Sequence, residues 1–344
     1  MKVAIVNNQA PFVRGGAELL AEWLRDKLEQ YGHQAEIVRL PFQWNPCERI
    51  LDHMLAARFV RLPNVDRVVA LKFPAYYVPH ENKVLWLLHQ FRQAYDLWGT
   101  PYQDIPNTPT GHRVRDAVIA ADQFHLGKVR HIYTNSKIVG QRLNYYNGLR
   151  SSVLYPPLPD PDSCYCEDYR DYFFFPGRIT AGKRQHVAVA AMSYARGDAR
   201  LVIAGQPETP EDLERVMSAI HEHGLEARVE VIPRWISEEE KHRLLAGCRG
   251  VIYLPYGEDS YGYVTLEAFH ARKPVITLAD SGGILELVED GHNGRVVAGE
   301  QDLALAMDEL SGDRALAENL GQAALETIDR LQISWDRVIE CLTR

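Results

Sequence analysis

Short β-branched runs alternate with helix-length amphipathic stretches from the first residues of the chain, and one proline-rich break divides that rhythm in two. Residues 2–7 read as a buried strand. After a glycine-rich turn, Ala17, Leu20, Ala21, Leu24, Leu28 and Tyr31 recur at helical spacing, with Gly32 as the stop. Residues 35–40, 67–73, 83–89 and 131–136 read as further strands. Parallel neighbours need crossover connections of helix length, so this alternation predicts an open, doubly wound α/β sheet. Tyr155-Pro-Pro-Leu-Pro-Asp-Pro-Asp162 holds four prolines in eight residues and reads as a semi-rigid linker. The rhythm then restarts, with strands at 172–175, 200–204, 229–232, 251–254 and 275–278 and helices from about Lys183, from Glu238 and over 266–272. The expectation is two Rossmann-like, doubly wound α/β domains facing a cleft, 1–157 and 158–329. Residues 334–344 form an amphipathic helix with Trp335, Val338, Ile339 and Leu342 apolar. It is free to pack back on either half, and the segment from about 330 to 344 is set beside the first.

Composition narrows the function classes. With 46% hydrophobic and 24% charged residues among 344, the chain has enough apolar side chains for two cores, which excludes wholesale disorder. A net charge of −8, from 38 basic and 46 acidic residues, disfavours nucleic acid as a partner. No apolar run approaches the ~18 residues of a membrane span. Residues 1–7 turn polar too soon for a signal peptide, and the five scattered cysteines (Cys47, Cys164, Cys166, Cys248, Cys341) read as reduced thiols, so a cytoplasmic protein is expected.

Four constellations place chemistry-bearing residues at strand ends, where open α/β sheets bind ligands. Arg14-Gly15-Gly16-Ala17-Glu18 follows the first strand. Glycines there let a backbone approach a ligand at a helix N-terminus, although a structural turn is the alternative. The pattern is not GxGxxG, so a dinucleotide fingerprint fails. In the second, Arg178 lies just past a strand and Lys183 opens the next helix. Two cations converging there suit a diphosphate, gripped by a planar fork and a point charge; an ordinary solvated loop is the alternative. The third runs from Glu258 to Glu267. Gly262 starts a helix and exposes backbone donors, while Asp259 and Glu267 supply carboxylates for sugar hydroxyls; a solvated helix-face charge is the alternative for Glu267. The fourth is His89, at the end of a nearly all-apolar strand, either a reacting-centre residue or a hydrogen-bonded structural one.

Several weaker signals complete the pattern. Asp160-Pro-Asp162 has DxD spacing but sits in the linker, and Cys164-Tyr-Cys166 lacks the second half of a zinc site, so no metal is expected. Arg58, Arg61 and Arg67 with Leu55, Phe59 and Val60 form either a basic membrane-facing surface or a helix packed on the sheet. Arg234 and Trp235 follow a strand in a position suited to a nucleotide base.

Together these segments resemble the family 4 retaining glycosyltransferases of the GT-B fold, over most of the chain. Gly15-Gly16-Ala17-Glu18 is similar to that family's N-terminal glycine loop, and Thr134-Asn-Ser136 with Tyr155-Pro-Pro157 to its approach to the interdomain linker. Gly177-Arg178 with Lys183 matches its phosphate-binding pair. Asp259 to Glu267, Ala268-Phe269, Lys273-Pro274-Val275, Gly282-Gly283-Ile284-Leu-Glu286 and Asn293 to Val297 follow its C-terminal signature. One departure stands out: the family usually has two glutamates seven residues apart, and here the first is Asp259, one methylene shorter.

The resemblance implies a metal-independent, retaining transfer of a sugar from a UDP- or GDP-sugar to a hydroxyl acceptor, in glycan, polysaccharide or glycolipid biosynthesis. The C-terminal half would hold the donor. Arg178 and Lys183 would neutralise the departing diphosphate, helped by backbone N–H groups around Gly262, Tyr263, Val264 and Thr265. Glu267 would accept from the ribose and Asp259 from the donor sugar. His89 would lie near the transferred sugar, with Gly15 and Gly16 allowing acceptor and diphosphate to approach. The N-terminal half would bind a carbohydrate, lipid-linked or small-molecule acceptor, with peripheral contact at the inner membrane face. The other readings are a non-catalytic nucleotide-sugar-binding paralogue and an NAD-dependent oxidoreductase.

Overall fold

The structure, a computed structural model, describes all residues except Val13, Arg14 and Pro101. Arg14 of the glycine-loop reading therefore lies outside the described residues. The chain divides into two units, Met1–Pro156 with Ile333–Arg344, and Pro157–Gln332. The change of unit falls between two adjacent prolines, where restricted backbone and missing N–H donors favour an extended crossing.

The first unit runs β1 (Lys2–Gln9), α1 (Gly16–Gln30), β2 (Gln34–Pro41), α2 (Arg49–Phe59), β3 (Arg67–Lys72), β4 (Lys83–His89), α3 (Pro109–Leu126), β5 (His131–Thr134), α4 (Lys137–Asn147) and β6 (Ser152–Val153). All neighbouring strands are parallel, in the order β2-β1-β3-β4-β5-β6. Such strands are covered on both faces, so they read as continuous apolar runs, and alternate residues enter different cores. Ala4 and Val6 of β1 join Val68, Ala70, Leu85 and Leu87 on one face, under α2, α3 and α4. Val3 and Ile5 join Val69, Leu71 and Trp86 on the other, under Leu20, Leu24 and Leu28 of α1.

The second unit runs β7 (Tyr172–Pro176), α5 (Gln185–Met192), β8 (Arg200–Ala204), α6 (Pro210–Glu222), β9 (Val229–Ile232), α7 (Glu238–Gly247), β10 (Gly250–Ile252), α8 (Tyr263–His270), β11 (Val275–Leu278), β12 (Gly294–Val297), α9 (Glu300–Gly312) and α10 (Arg314–Arg330). Its sheet is also parallel, in the order β12-β11-β10-β7-β8-β9, with Phe173, Phe174 and Phe175 fully buried at its centre.

The chain then returns to the first unit as α11 (Trp335–Thr343). Trp335, Val338, Ile339 and Leu342 enter the same core as Leu24 and Trp86. Each such burial stabilises by about 1.5–3 kcal/mol relative to exposure. Arg67 lies beneath this helix, buried, with Nη1 donating to the Leu342 carbonyl at 2.9 Å. It is a structural cap for a helix end and does not belong to a basic surface with Arg58 and Arg61.

In both sheets the strand order reverses at one pair of parallel strands: β1 and β3 in the first unit, β7 and β10 in the second. Connections leave such a pair toward opposite sides and open a crevice at the carboxyl ends. In the second unit that crevice is bordered by the segments 177–183 and 253–262.

Candidate functional site

Lys183 occupies the crevice of the second sheet. It closes one turn of 3-10 helix, Ala181–Lys183, rather than opening the next α-helix, because Thr180 caps the turn by accepting the Lys183 N–H at 3.2 Å. Its Nζ donates to Tyr253 Oη and to Glu258 Oε2, both at 2.5 Å, and lies 4.7 Å from the centre of the Tyr253 ring. Burial alone would lower the ammonium's pKa, but Tyr253 and Glu258 outweigh it and hold it above the ordinary lysine range. The Tyr253 phenol is pushed up to about 12 by burial, so it stays neutral and receives the lysine proton donor as a hydroxyl.

Glu258, and not Asp259, is thus the carboxylate that meets Lys183. Backbone pairing accounts for this. Gly257 N–H donates to Asp280 C=O at 2.9 Å, Glu258 N–H to Ser281 C=O at 3.1 Å, and Gly283 N–H to Glu258 C=O at 2.8 Å. A Cβ on Gly282, which has φ +74°, would lie 2.5 Å from the Glu258 carbonyl, so the Gly282-Gly283 pair exists to let two loops touch. Asp259 follows, half-buried, in the same loop.

Gly262 starts α8 with φ +69°, and a Cβ there would sit 2.5 Å from the Tyr253 ring. No acidic residue lies in the first turn of α8. Among the donors expected there, the Thr265 N–H is already used, donating to Gly262 C=O at 3.1 Å, whereas Tyr263 and Val264 border the start of the helix half-buried.

Arg184 was not singled out by sequence. It adopts φ +60°, a conformation uncommon outside glycine, directly after Lys183. Its guanidinium bridges both oxygens of Asp280, at 2.8 and 2.6 Å, and the carbonyls of Leu254 at 2.6 Å and Pro255 at 3.0 Å. One side chain therefore ties the loops after β7, β10 and β11 together. Arg178, by contrast, is exposed on the same segment and faces Glu208 across 3.4 Å. The two cations expected to converge thus differ in setting.

Glu267 is buried on α8, not on a solvated face. Burial raises its carboxyl, and Lys241 of α7 opposes that by donating to Oε1 at 2.7 Å. Lys241 also pairs with Glu238 at 2.8 Å and was invisible in the pattern. Arg234 is engaged by Glu240 at 2.7 and 2.9 Å, while Trp235 is largely exposed.

Gly15, Gly16 and His89 belong to the first unit. Gly15 caps α1, and its N–H donates to Glu18 Oε2 at 2.9 Å; Gly16 is the first helical residue. Glu18 Oε1 accepts from Lys72 Nζ at 2.7 Å. A register shift between β3 and β4 sets His89 opposite Lys72, so glycine loop, ion pair and histidine are neighbours. His89 Nδ1 is 2.7 Å from the Gln90 carbonyl. A carbonyl only accepts, so Nδ1 carries the proton and, in the neutral ring, Nε2 the lone pair.

Among the described residues, no group of three or more His, Cys, Asp or Glu side chains is placed to hold a metal ion; Asp160 precedes and Asp162 lies within a linker turn, Pro161–Ser163. No helix there is long and apolar enough to cross a membrane.

Residues 167–327, nearly the whole second unit, match the family described as glycosyl transferases group 1. The chain is 33% identical over 211 residues to an alpha-maltose-1-phosphate synthase of Mycolicibacterium smegmatis, a match covering 56% of this chain and 53% of that protein. The chain thus spans about half the length of the curated relatives it matches. Among solved structures, the Anabaena protein Alr3699/HepE in complex with UDP and glucose is 18% identical, with a TM-score of 0.73 over 100% of this chain and 99% of that one. A sucrose-phosphate synthase of Thermosynechococcus elongatus reaches a TM-score of 0.77 at 16% identity, over 99% and 97%. The fold is the pair of Rossmann-like units of the GT-B glycosyltransferase structures.

Proposed function

We propose that the protein is a retaining glycosyltransferase that moves a sugar from a nucleoside-diphosphate sugar, a UDP-sugar before a GDP-sugar, to a hydroxyl acceptor in glycan, polysaccharide or glycolipid synthesis. The observation that carries this reading is the Lys183 ammonium, fixed by Tyr253 and Glu258 in the crevice between β7 and β10, beside a helix opened by Gly262. The UDP and glucose in the Anabaena neighbour favour uridine as the base.

In the reaction the bond from the anomeric carbon to the diphosphate oxygen breaks, the electron pair leaves with the diphosphate, and the acceptor oxygen bonds to the same carbon as its proton passes to the departing diphosphate. The rising charge on the leaving group is the main electrostatic demand. Lys183 meets it as a point charge, and the exposed Arg178 adds a planar fork from the rim. The opening turn of α8, free of acidic side chains, faces an anion favourably. Glu267, held at Oε1 by Lys241, offers Oε2 to the ribose hydroxyls, and Asp259 serves the donor sugar. His89, with the Nδ1 proton held by the Gln90 carbonyl, acts on the transferred sugar through its ring. Cationic side chains take the part of a divalent metal, so transfer proceeds in EDTA. The acceptor is a carbohydrate, a small hydroxylated molecule or a lipid-linked carrier. Exposed Leu55 and Phe59, beside Arg61, support peripheral contact with an anionic membrane face.

The test is nucleoside-diphosphate release from a panel of UDP- and GDP-sugars with mixed sugar acceptors, with and without EDTA, for wild type and Lys183→Met. One nucleotide series should turn over, indifferent to EDTA and lost in the variant. No release and no thermal shift from any donor, with a shift from NADH instead, would refute the reading.

A further inference from the structure

Asp122 of α3 is fully enclosed, at 0% exposure, and takes no part in the chemistry above. Its Oδ1 accepts from Tyr76 Oη at 2.8 Å and Tyr77 Oη at 2.6 Å, and its Oδ2 accepts from Tyr95 Oη at 2.7 Å. Three phenols around one buried carboxylate are an expensive way to fill a core that leucine and phenylalanine would fill without desolvation. Fully satisfied polar networks of this kind fix one geometry for the side chains they reach.

The network reaches His89. Tyr95 Oη accepts from Asn147 Nδ2 at 3.4 Å, and that amide also donates to Gln123 Oε1 at 3.1 Å. Asn147 Oδ1 accepts from Gln90 Nε2. Gln90 follows His89 directly, and its carbonyl takes the His89 Nδ1–H at 2.7 Å. Tyr95, Asn147 and Gln90 are all buried. The Asn147 bond and burial together restrict the residue whose carbonyl takes the ring proton.

We infer that the chain Asp122–Tyr95–Asn147–Gln90 sets the tautomer and ring plane of His89, so that these four act as positioning residues for it. The effect on transfer rests on the reading of His89 proposed above. The effect on the tautomer does not.

The experiment uses the full chain with 15N-histidine, reading the ring nitrogens by proton–nitrogen correlation, with His89→Gln to assign the signals. Wild type should show the Nδ1–H form at His89. Asn147→Leu should raise the Nε2–H form to a comparable population, and Tyr95→Phe should shift it the same way by less. Tyr76→Phe, which removes a bond of the same cluster off the path, should leave the pattern unchanged. Transfer by Asn147→Leu should fall about 10–100-fold in kcat, with the donor KM within about twofold, as expected for a misplaced group. Circular dichroism and melting verify folding, and Tyr95→Phe carries the test should Asn147→Leu not fold. An unchanged His89 pattern in folded Tyr95→Phe and Asn147→Leu, or an equal shift in Tyr76→Phe, overturns the inference. Variants that shift as described, in a protein whose wild type releases no nucleotide from any donor, would refute the transferase reading and leave the positioning chain standing.

Discussion

The two sheets reverse at equivalent places, and each carries a lysine–glutamate pair there, yet the pairs are built for different ends. In the first unit Lys72 meets Glu18, with side chains only 13% and 10% exposed, and Glu18 also takes the Gly15 N–H. A carboxylate in the first turn of α1 thus consumes both the cation and the helix-terminal donor. In the second unit Lys183 and Glu258 are 25% and 30% exposed, and the carboxylate comes from a loop. The first turn of α8 contains no acid. Both lysines are matched by a carboxylate, and the corners differ at the helix terminus: an acid of its own first turn occupies that of α1, whereas the first turn of α8 carries none and suits an anion.

The sharpest way to break this comparison is to remove each lysine in turn. Lys183→Met should cut kcat/KM about 100–1,000-fold, the range for losing one group that stabilises developing charge, with little change in melting. Lys72→Met should do the opposite: melting drops, because a nearly buried carboxylate loses its partner at a cost of about 3–5 kcal/mol, while kcat/KM falls less than tenfold. Steady-state kinetics and thermal melts on both variants decide it.

Glycine substitutions sharpen it next. Gly262→Ala forces a Cβ against the Tyr253 ring at φ +69° and should cost about 1–3 kcal/mol and at least tenfold in donor affinity. Gly15, at φ −142° and with, among the described residues, only the Glu18 carboxylate 3.3 Å from an added Cβ, should accept alanine with a change in melting of a degree or two. Calorimetric titration with UDP alongside melts separates the two. A smaller effect is expected at Arg184→Gly: left-handed backbone is relieved, but the links to Asp280, Leu254 and Pro255 vanish, and donor affinity should weaken several-fold.

The charges enclosed in the first unit should also appear as a pH term. Burial pushes Asp122 up to about 6, above its value of about 4 in an unfolded chain. The folded state then binds that proton more tightly, so this contribution is present below about pH 4 and lost as pH rises through about 6. The melting temperature of wild type minus that of Asp122→Asn should decline across that window and level off above it. A flat difference would mean that the three tyrosines fully compensate the burial.

Much of this was legible in sequence because it rests on local pattern. Buried parallel strands read as apolar runs, and Lys183 and Gly262 announce themselves by position after strands. What stayed hidden depends on which loops touch. Glu258 and Asp259 are adjacent in sequence, and only the pairing of 257–258 with 280–283 decides which one reaches Lys183. Arg184 to Asp280 and Lys241 to Glu267 join different loops and helices, with nothing in either neighbourhood to mark them. The edge strands β6 and β12 are short and lack the apolar runs of central strands. Arg67 looked like surface charge because α11, its partner, lies at the other end of the chain.

The most direct test of the central claim is calorimetric titration of UDP into wild type, Lys183→Met and Lys72→Met. Wild type and Lys72→Met should bind within about threefold of each other, and Lys183→Met at least tenfold more weakly, a difference of about 1.4 kcal/mol or more. Equal affinity in Lys183→Met, or loss of binding in folded Lys72→Met, would contradict the assignment of the anion site to the second unit.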